Sequence, residues 1–381
     1  MKISLSRSVL RSAAIGLFLT GASIASATAV HADATDGIVV TSPTAAEANS
    51  WRGITYGNGT FVAVAQSGVN QVMTSTDGTT WTAREAAEAN SWTAVAYGGG
   101  TFVATATSGT NRIMSSPDGI TWAPHLNLNI DLDSIAYGNG TFVAMSSSDA
   151  VAFTSTDGST WSPLHLLPTQ DNWTSIAFGN GIFVAVASDG TNGIITSTDG
   201  ITWTTHVAPE LNSWSSVTYG NGLFVAVAGS GTNRVMTSAD GSTWTAHAAA
   251  SARYWNSVAA GDGYFMAIAA MSGLMVSTDG SNWVTLAGAD ALSNWEALAY
   301  GNNTFVGVAN TGTARLVRAE FAAPTTTTTV APATTAAPVT TVAVNLPATG
   351  SSNNNVIAFA ALMTIAGLAL VLRRRNSSDL V

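Results

Sequence analysis

Between residues 33 and 321 the chain alternates short apolar, β-rich runs with breaks of Gly, Asn and Asp, and nowhere does it hold an apolar period of 3.6 residues. One stretch shows the script. Trp214–Tyr219 (WSSVTY) is followed by the break Gly220-Asn221-Gly222 and by Leu223–Ala228 (LFVAVA). A short polar loop leads to Arg234–Ser238 (RVMTS), the break Asp240-Gly241 and Ser242–His247 (STWTAH). That reads as four strands, with Gly-Asn-Gly and Asp-Gly supplying the positive φ that tight hairpins require.

The script recurs with a period of about 41 residues. One Trp column runs Trp51, Trp92, Trp173, Trp214, Trp255, Trp295, with Leu132 in the third slot. A second runs Trp81, Trp122, Trp161, Trp203, Trp244, Trp283. A Phe always stands ten residues after the first column, from Phe61 to Phe305. Asp-Gly pairs begin at Asp36, Asp77, Asp118, Asp157, Asp199, Asp240 and Asp279. Four strands per unit of this length predict a propeller blade rather than a helical repeat.

The ends of the array predict closure. The seventh unit begins at Trp295 and stops near Phe321, before any Asp-Gly or second Trp. The absent piece stands at the other end, where Asp36 precedes Trp51 by 15 residues, as Asp199 precedes Trp214. The expected fold is all-β: a seven-bladed propeller over residues 33–321, with four-stranded antiparallel blades. The segment 35–42 then supplies the outer strand of the last blade, beside 314–319, and removes an exposed edge.

The flanks read as addresses. Residues 1–32 have a charged start (Lys2, Arg7, Arg11), an apolar stretch opening at Ala13–Thr20, and small residues before Val30-His31-Ala32 or Ala27-Thr28-Ala29. This is the layout of a secretory signal peptide. Residues 322–345 hold nine Thr between 325 and 341, interleaved with Pro and Ala, and read as an extended stalk without a core. Leu346-Pro347-Ala348-Thr349-Gly350 then precedes a polar spacer, an apolar run 356–372 about long enough to span a bilayer as a helix, and a basic tail 373–381. Residues 346–381 together resemble the LPxTG cell-wall sorting signal of Gram-positive bacteria. That resemblance implies an exported protein held in the membrane by its C-terminal helix. Sortase then cuts between Thr349 and Gly350 and joins Thr349 to peptidoglycan.

A second resemblance lies in the blades. Ser197-Thr198-Asp199-Gly200-Ile201-Thr202-Trp203, and copies such as Ser75–Trp81 and Ser238–Trp244, resemble the Asp-box (BNR) repeat of sialidases and related propellers. The resemblance implies structural hairpins on the outer part of each blade. It departs from the family in having Asp and Gly adjacent.

Charge and composition narrow the partners. Charged residues are 9% of the chain and Cys is absent, which excludes disulfides, thiolate metal sites and a Cys nucleophile. Between Asp33 and Thr349 seven Arg face 21 carboxylates, a net −14, so no basic face is available for nucleic acid. Arg112, Arg234 and Arg315 share one slot on different blades and do not predict the convergent arginines of a sialidase. His125, His165, His206 and His247 fall one per blade, so no metal site and no cofactor is expected. Glu85, Glu88, Asp131, Asp133, Asp171, Glu210 and Asp290 lie in loops between blades and predict an acidic rim.

The leading expectation is therefore a wall-anchored display protein that binds an extracellular glycan or protein and is not an enzyme. A degenerate sialidase-like or other glycoside hydrolase, or a structural coat component, are the other readings. Candidate ligand-binding residues are Trp51, Trp92, Trp173, Trp214, Trp255 and Trp295, which begin the inner strands and could ring a channel mouth with exposed indoles. They could instead be wedged between blades over small residues such as Ala94, Ser175 and Ser216. Arg253 and Tyr254 break the repeat and complete the list.

Overall fold

A computed structural model describes residues 37–125, 129–190, 192–271, 273–288 and 293–321. The signal segment, Asp36, the stalk, Leu346–Gly350 and the apolar run 356–372 lie outside the described residues.

The described strands form seven four-stranded antiparallel sheets. β1 (Ile38–Thr41) precedes the first blade, which is β2 (Trp51–Gly57), β3 (Thr60–Ala65), β4 (Val72–Ser75) and β5 (Thr82–Arg84). The second is β6 (Trp92–Gly98), β7 (Thr101–Ala106), β8 (Ile113–Ser116) and β9 (Ala123–His125). The third is β10 (Ser134–Gly138), β11 (Thr141–Ser146), β12 (Val151–Ser155) and β13 (His165–Leu166). The fourth is β14 (Trp173–Gly179), β15 (Ile182–Ala187), β16 (Gly193–Ser197) and β17 (Thr204–Val207). The fifth is β18 (Trp214–Gly220), β19 (Leu223–Ala228), β20 (Val235–Ser238) and β21 (Thr245–His247). The sixth is β22 (Trp255–Gly261), β23 (Tyr264–Ala269), β24 (Leu274–Ser277) and β25 (Val284–Leu286). The seventh is β26 (Asn294–Gly301), β27 (Thr304–Thr311) and β28 (Leu316–Phe321), completed by β1.

The closure expected from the repeat offset is present. β1 pairs antiparallel with β28, Ile38 opposite Phe321 and Thr41 opposite Arg318. First strands of successive blades contact one another around the whole circle, β26 returning to β2. The hairpin breaks behave as their residues require. Asn58 and Gly59 take φ of 48° and 75°, the left-handed pair of a tight hairpin.

Blades interlock by a recurrent fit. A Cβ added to Gly57 would lie 2.0 Å from Cγ of Tyr97, and one on Gly301 would lie 2.0 Å from Cγ of Tyr56. The inner strand of each blade thus ends on a glycine that accepts a side chain of the next blade. The last blade does this to the first, and only Ala260 breaks the aromatic series. Each aromatic also packs on its own blade's Phe, as Tyr56 does on Phe61 at 4.7 Å between ring centroids.

The core is therefore seven inter-blade layers. Val62, Val64 and Val72 of blade one pack with Trp92, Phe102 and Met114 of blade two. Trp51, Trp92, Trp173, Trp214, Trp255 and Trp295 are all 0–1% exposed. Each such ring buries about 150–250 Å², an upper estimate of about 4–6 kcal/mol of transfer free energy.

The strand directions divide the ring into two faces. Gly-Asn-Gly and Asp-Gly turns occupy one, the turn face. The inner strands begin at the other, the loop face, where the longer and less regular connections such as 66–71, 85–91 and 208–213 lie.

Candidate functional site

The site is built by an irregularity in the inner strands. In each of the six Trp-bearing blades the register between first and second strands shifts just after the Trp, between Trp51 and Gly53, Trp92 and Ala94, Trp173 and Ser175, Trp214 and Ser216, Trp255 and Ser257, and Trp295 and Ala297. A bulge re-aims the extra residue. Here that residue is Arg52, Thr93, Thr174, Ser215, Asn256 and Glu296. In the third blade, where Leu132 replaces Trp, Asp133 stands in the same column.

All seven line one cavity of about 430 Å³ at the loop-face mouth of the central channel. Below it, Ser134, Ser175, Ser216 and Ser257 and then the apolar column from Ile54 to Leu298 line the continuing channel.

The ring residues also stitch blade to blade. Thr93 Oγ1 donates to the Leu132 carbonyl at 3.0 Å. Thr174 Oγ1 donates to the Trp214 carbonyl at 2.8 Å, and Ser215 Oγ to that of Trp255. Asn256 Nδ2 donates to the Trp295 carbonyl at 2.6 Å. At the seam between the last and first blades the pattern changes to an ion pair, Arg52 Nη1 to Glu296 Oε2 at 2.8 Å. Asn294 Nδ2, at 3.1 Å, and Asn310 Nδ2 donate to the other Glu296 oxygen. Burial pushes the Glu296 carboxyl above its ordinary value, and the Arg52 charge works against that rise. Asp133 Oδ2 accepts from Ser147 N at 2.9 Å and from Ser147 Oγ at 2.6 Å.

The first Trp column is not an exposed ring of indoles. Its side chains are the wedges of the inter-blade layers, and of the six only Trp173 is among the residues that line the cavity, beside the ring column, Ser147 and Asn172. Stacking of sugars on these six rings is therefore corrected to packing. Four of their N–H groups are spent on the preceding loop: Trp51, Trp92, Trp214 and Trp255 Nε1 donate to the carbonyls of Glu47, Glu88, Glu210 and Ser251 at 3.0, 3.0, 3.3 and 3.1 Å. Trp173 Nε1 is buried and finds no partner among the described residues.

Arg253 and Tyr254 do lie on the surface of the loop face. Tyr254 is 52% exposed and covers Gly229, where a Cβ would lie 2.4 Å from its ring. Arg253 Nη1 donates to the Met271 carbonyl at 3.2 Å. They adjoin the bulged Trp255 without being among the residues that line the mouth cavity.

The Asp-Gly turns sit on the opposite, turn face. Asp77 Oδ1 accepts from the backbone N–H groups of Thr79 and Thr80, both at 2.8 Å, and Trp81 Nε1 donates to the Gly78 carbonyl at 3.1 Å. Asp118, Asp157, Asp199, Asp240 and Asp279 repeat the Asp contacts. The Thr80 and then Thr79 N–H bonds hold Asp77 below its ordinary value. These turns do no work at the channel mouth.

The loop carboxylates are less free than a solvated rim would have them. Glu88 takes the backbone N–H of Asn111 at 3.1 Å and its side-chain amide at 2.5 Å. Glu210 does the same with Asn233 and Glu47 with Asn70. Asp131 is engaged by Arg112 at 2.5 Å. Arg234 and Arg315 reach carbonyls of Arg253 and Ala48, so the three arginines bind between blades rather than converge. His125, His206 and His247 accept or donate locally to Ser115, Thr196 and Thr237. Asp290 lies outside the described residues.

The ring column was missed by pattern reading, although a signal exists. Aligned on the Trp column, the next position is the only inner-strand column in which every member is polar.

Comparison with known proteins supports both parts of the chain. Residues 338–379 match the family model of the LPXTG cell wall anchor motif. No curated protein matches the chain by sequence. Among solved structures, virginiamycin B lyase from Staphylococcus aureus is similar in fold, with a TM-score of 0.65 at 13% identity over 74% of this chain and 98% of that one. YCF48 from Cyanidioschyzon merolae is similar with a TM-score of 0.58 at 15% identity, over 74% and 98%. The chain is a cell-wall-anchored surface protein that carries a seven-bladed β-propeller ahead of its LPXTG anchor and, through that anchor, is a sortase substrate joined to peptidoglycan.

Proposed function

We propose that the propeller is a binding module displayed on the wall, and that it holds an extracellular ligand at the loop-face mouth of its channel. One observation carries this reading. The scaffold is repeated almost residue for residue, yet the column that the bulges aim into the 430 Å³ cavity reads Arg, Thr, Asp, Thr, Ser, Asn, Glu. Inter-blade packing alone needs no such variety, whereas a single asymmetric ligand does. The volume lies within the range of small-molecule sites and is wide enough for a side chain or sugar unit of a larger partner.

The Ser-Thr-Asp-Gly-x-Thr-Trp hairpins are, on this reading, a shortened variant of the Asp-box and serve the scaffold only. Their place on the turn face supports that role. Fold likeness does not choose the ligand, since the similar propellers include a lyase and a YCF48 bound to a D1 peptide.

A hydrolase is the second reading, because Asp133 and Glu296 line the same cavity and burial raises Glu296. The bonds to Glu296 weigh against it. A general acid must reach the leaving-group oxygen, and both oxygens of Glu296 are already taken up by Arg52, Asn294 and Asn310.

The test is adhesion of cells displaying the protein to a panel of immobilised glycans and extracellular proteins. Replacing Thr93, Asp133 and Asn256 together by Ala is expected to abolish the adhesion with an unchanged circular dichroism spectrum. Undiminished adhesion removes the mouth as the site. Turnover of a glycoside that depends on Asp133 and Glu296 would establish the second reading instead.

A further inference from the structure

The hydroxyl hydrogens of the mouth are already committed, and that bears on what the guest must supply. Thr93 Oγ1 lies 3.2 Å from the Thr105 carbonyl and 3.0 Å from that of Leu132. Thr174 Oγ1 lies 3.1 Å from the Val186 carbonyl and 2.8 Å from that of Trp214. Ser215 Oγ sits in the same way between the carbonyls of Val227 and Trp255. A hydroxyl has one hydrogen and two lone pairs, and a carbonyl can only accept. Each of these hydrogens is therefore spent inside the ring, and only lone pairs remain for the cavity. Asn256 gives one amide N–H to the Trp295 carbonyl and keeps its second N–H together with Oδ1 as an acceptor.

The charges point the same way. Glu296 is neutralised by Arg52. Asp133 has two hydrogen bonds from Ser147 but no ion pair among the described residues. The mouth is an acceptor-rich ring with one uncompensated negative charge. Half-buried acceptors and an unpaired carboxylate favour a guest that brings both N–H donors and a positive charge.

Three kinds of cation differ in fit. A bare metal ion needs its ligands at about 2.0–2.6 Å, which oxygens spread around a 430 Å³ cavity do not offer. A guanidinium gains most from both oxygens of a carboxylate, but Ser147 already holds Oδ2 of Asp133 twice. A primary ammonium is a compact charge with three donors and no acceptor, which matches one free carboxylate oxygen and neighbouring lone pairs.

Resting on the binding reading above, we propose that the mouth receives a primary ammonium group at the end of an alkyl chain, namely the lysine side chain of a partner protein, with Asp133 as its counter-ion. The net −14 between Asp33 and Thr349 draws a basic partner toward the propeller.

The experiment titrates the mature protein, released from the wall by peptidoglycan digestion, with Nα-acetyl-lysine amide and follows binding by calorimetry. Nα,Nε-diacetyl-lysine amide removes the charge, and tetramethylammonium keeps the charge without N–H donors. The lysine probe is expected to bind at least tenfold more tightly than either. Asp133→Asn is expected to lose at least tenfold for the lysine probe alone, while Glu85→Gln on the rim changes nothing. Equal binding of all three probes, or no binding of the lysine probe, overturns the proposal on the unaltered protein, whatever the variants do to folding. If that happens while the triple Ala variant still abolishes adhesion, the mouth remains the site and only the ammonium assignment falls. If adhesion is also untouched, both fall.

Discussion

Arg52 of the first blade and Glu296 of the last meet at 2.8 Å across the seam where the two ends of the repeat array join. In four other blades the equivalent residue, Thr93, Thr174, Ser215 or Asn256, donates to a backbone carbonyl of its neighbour. At the seam the stitch is ionic, and Glu296 is the more enclosed partner, with 16% of its side chain exposed. Removing Arg52 leaves an enclosed carboxylate without its cation, which costs more than an exposed pair is worth. Arg52→Met is expected to lower stability by about 1–3 kcal/mol, read as a drop in the urea midpoint at unchanged m-value. A change below the error of that measurement would show that the pair is screened by water in the channel.

The Asp turns predict how the fold responds to acid. In Asp77, Asp118, Asp157 and Asp240 the backbone N–H of the Thr three residues on is the largest influence, and it holds each carboxyl below its ordinary value. A lowered carboxyl adds stability above the ordinary range, and that stability is lost as pH falls through the lowered values. Glu296 acts oppositely, because a raised carboxyl costs stability as pH rises through its window. Four turns outweigh one glutamate, so the melting temperature should fall steadily below about pH 4. The slope should be shallower in Asp157→Asn, and an identical slope would remove the turn as the cause.

Two tryptophans of one column should respond differently to the same change. Trp92 Nε1 donates to the Glu88 carbonyl, whereas Trp173 Nε1 is buried without a partner among the described residues. Trp92→Phe removes packing volume and orphans a carbonyl. Trp173→Phe removes volume together with an unpaired donor. The first is expected to be the more costly by about 1 kcal/mol, by thermal or chemical unfolding of the two variants. The opposite order would show that Trp173 Nε1 has a partner in solution.

Glycine at the end of each inner strand is a requirement of closure. Gly301→Ala places a methyl 2.0 Å from the Tyr56 ring, at the seam. Overpacking of this kind costs about 1–3 kcal/mol. Gly59, whose added Cβ meets nothing within 4 Å but whose φ is 75°, isolates the backbone cost. Gly301→Ala should broaden the thermal transition as well as lower its midpoint, since it prises one interface. A sharp transition with an unshifted midpoint would show that Tyr56 simply rotates away.

Much of this architecture was readable before any coordinates. The 15-residue offset from Asp36 to Trp51 placed the closing strand, and β1 pairs with β28 at that position. Period and turn residues are local and repeated, so each copy confirms the others. The Trp column is legible as a column, but its exposure is left open between ring and wedge, because an indole at a strand start is compatible with either face until neighbouring blades are placed. The site column was overlooked for a different reason. Its members share no residue type, and the bulge that turns them inward depends on how β2 and β3 pair, which no single strand declares. Glu47, absent from the expected rim, shows the same limit: its role as a clasp on Asn70 appears only when loops 23 residues apart meet.

β28 runs from the loop face to the turn face and ends at Phe321, paired with β27 over Leu316–Glu320 and with β1 over Arg318–Phe321. Tension from the envelope enters the domain at that residue. A load applied at the loop face is then transmitted lengthwise along the strand, so its two ladders resist sliding together instead of peeling rung by rung. The amino-terminal segment thus acts as a mechanical latch on the strand that bears the pull.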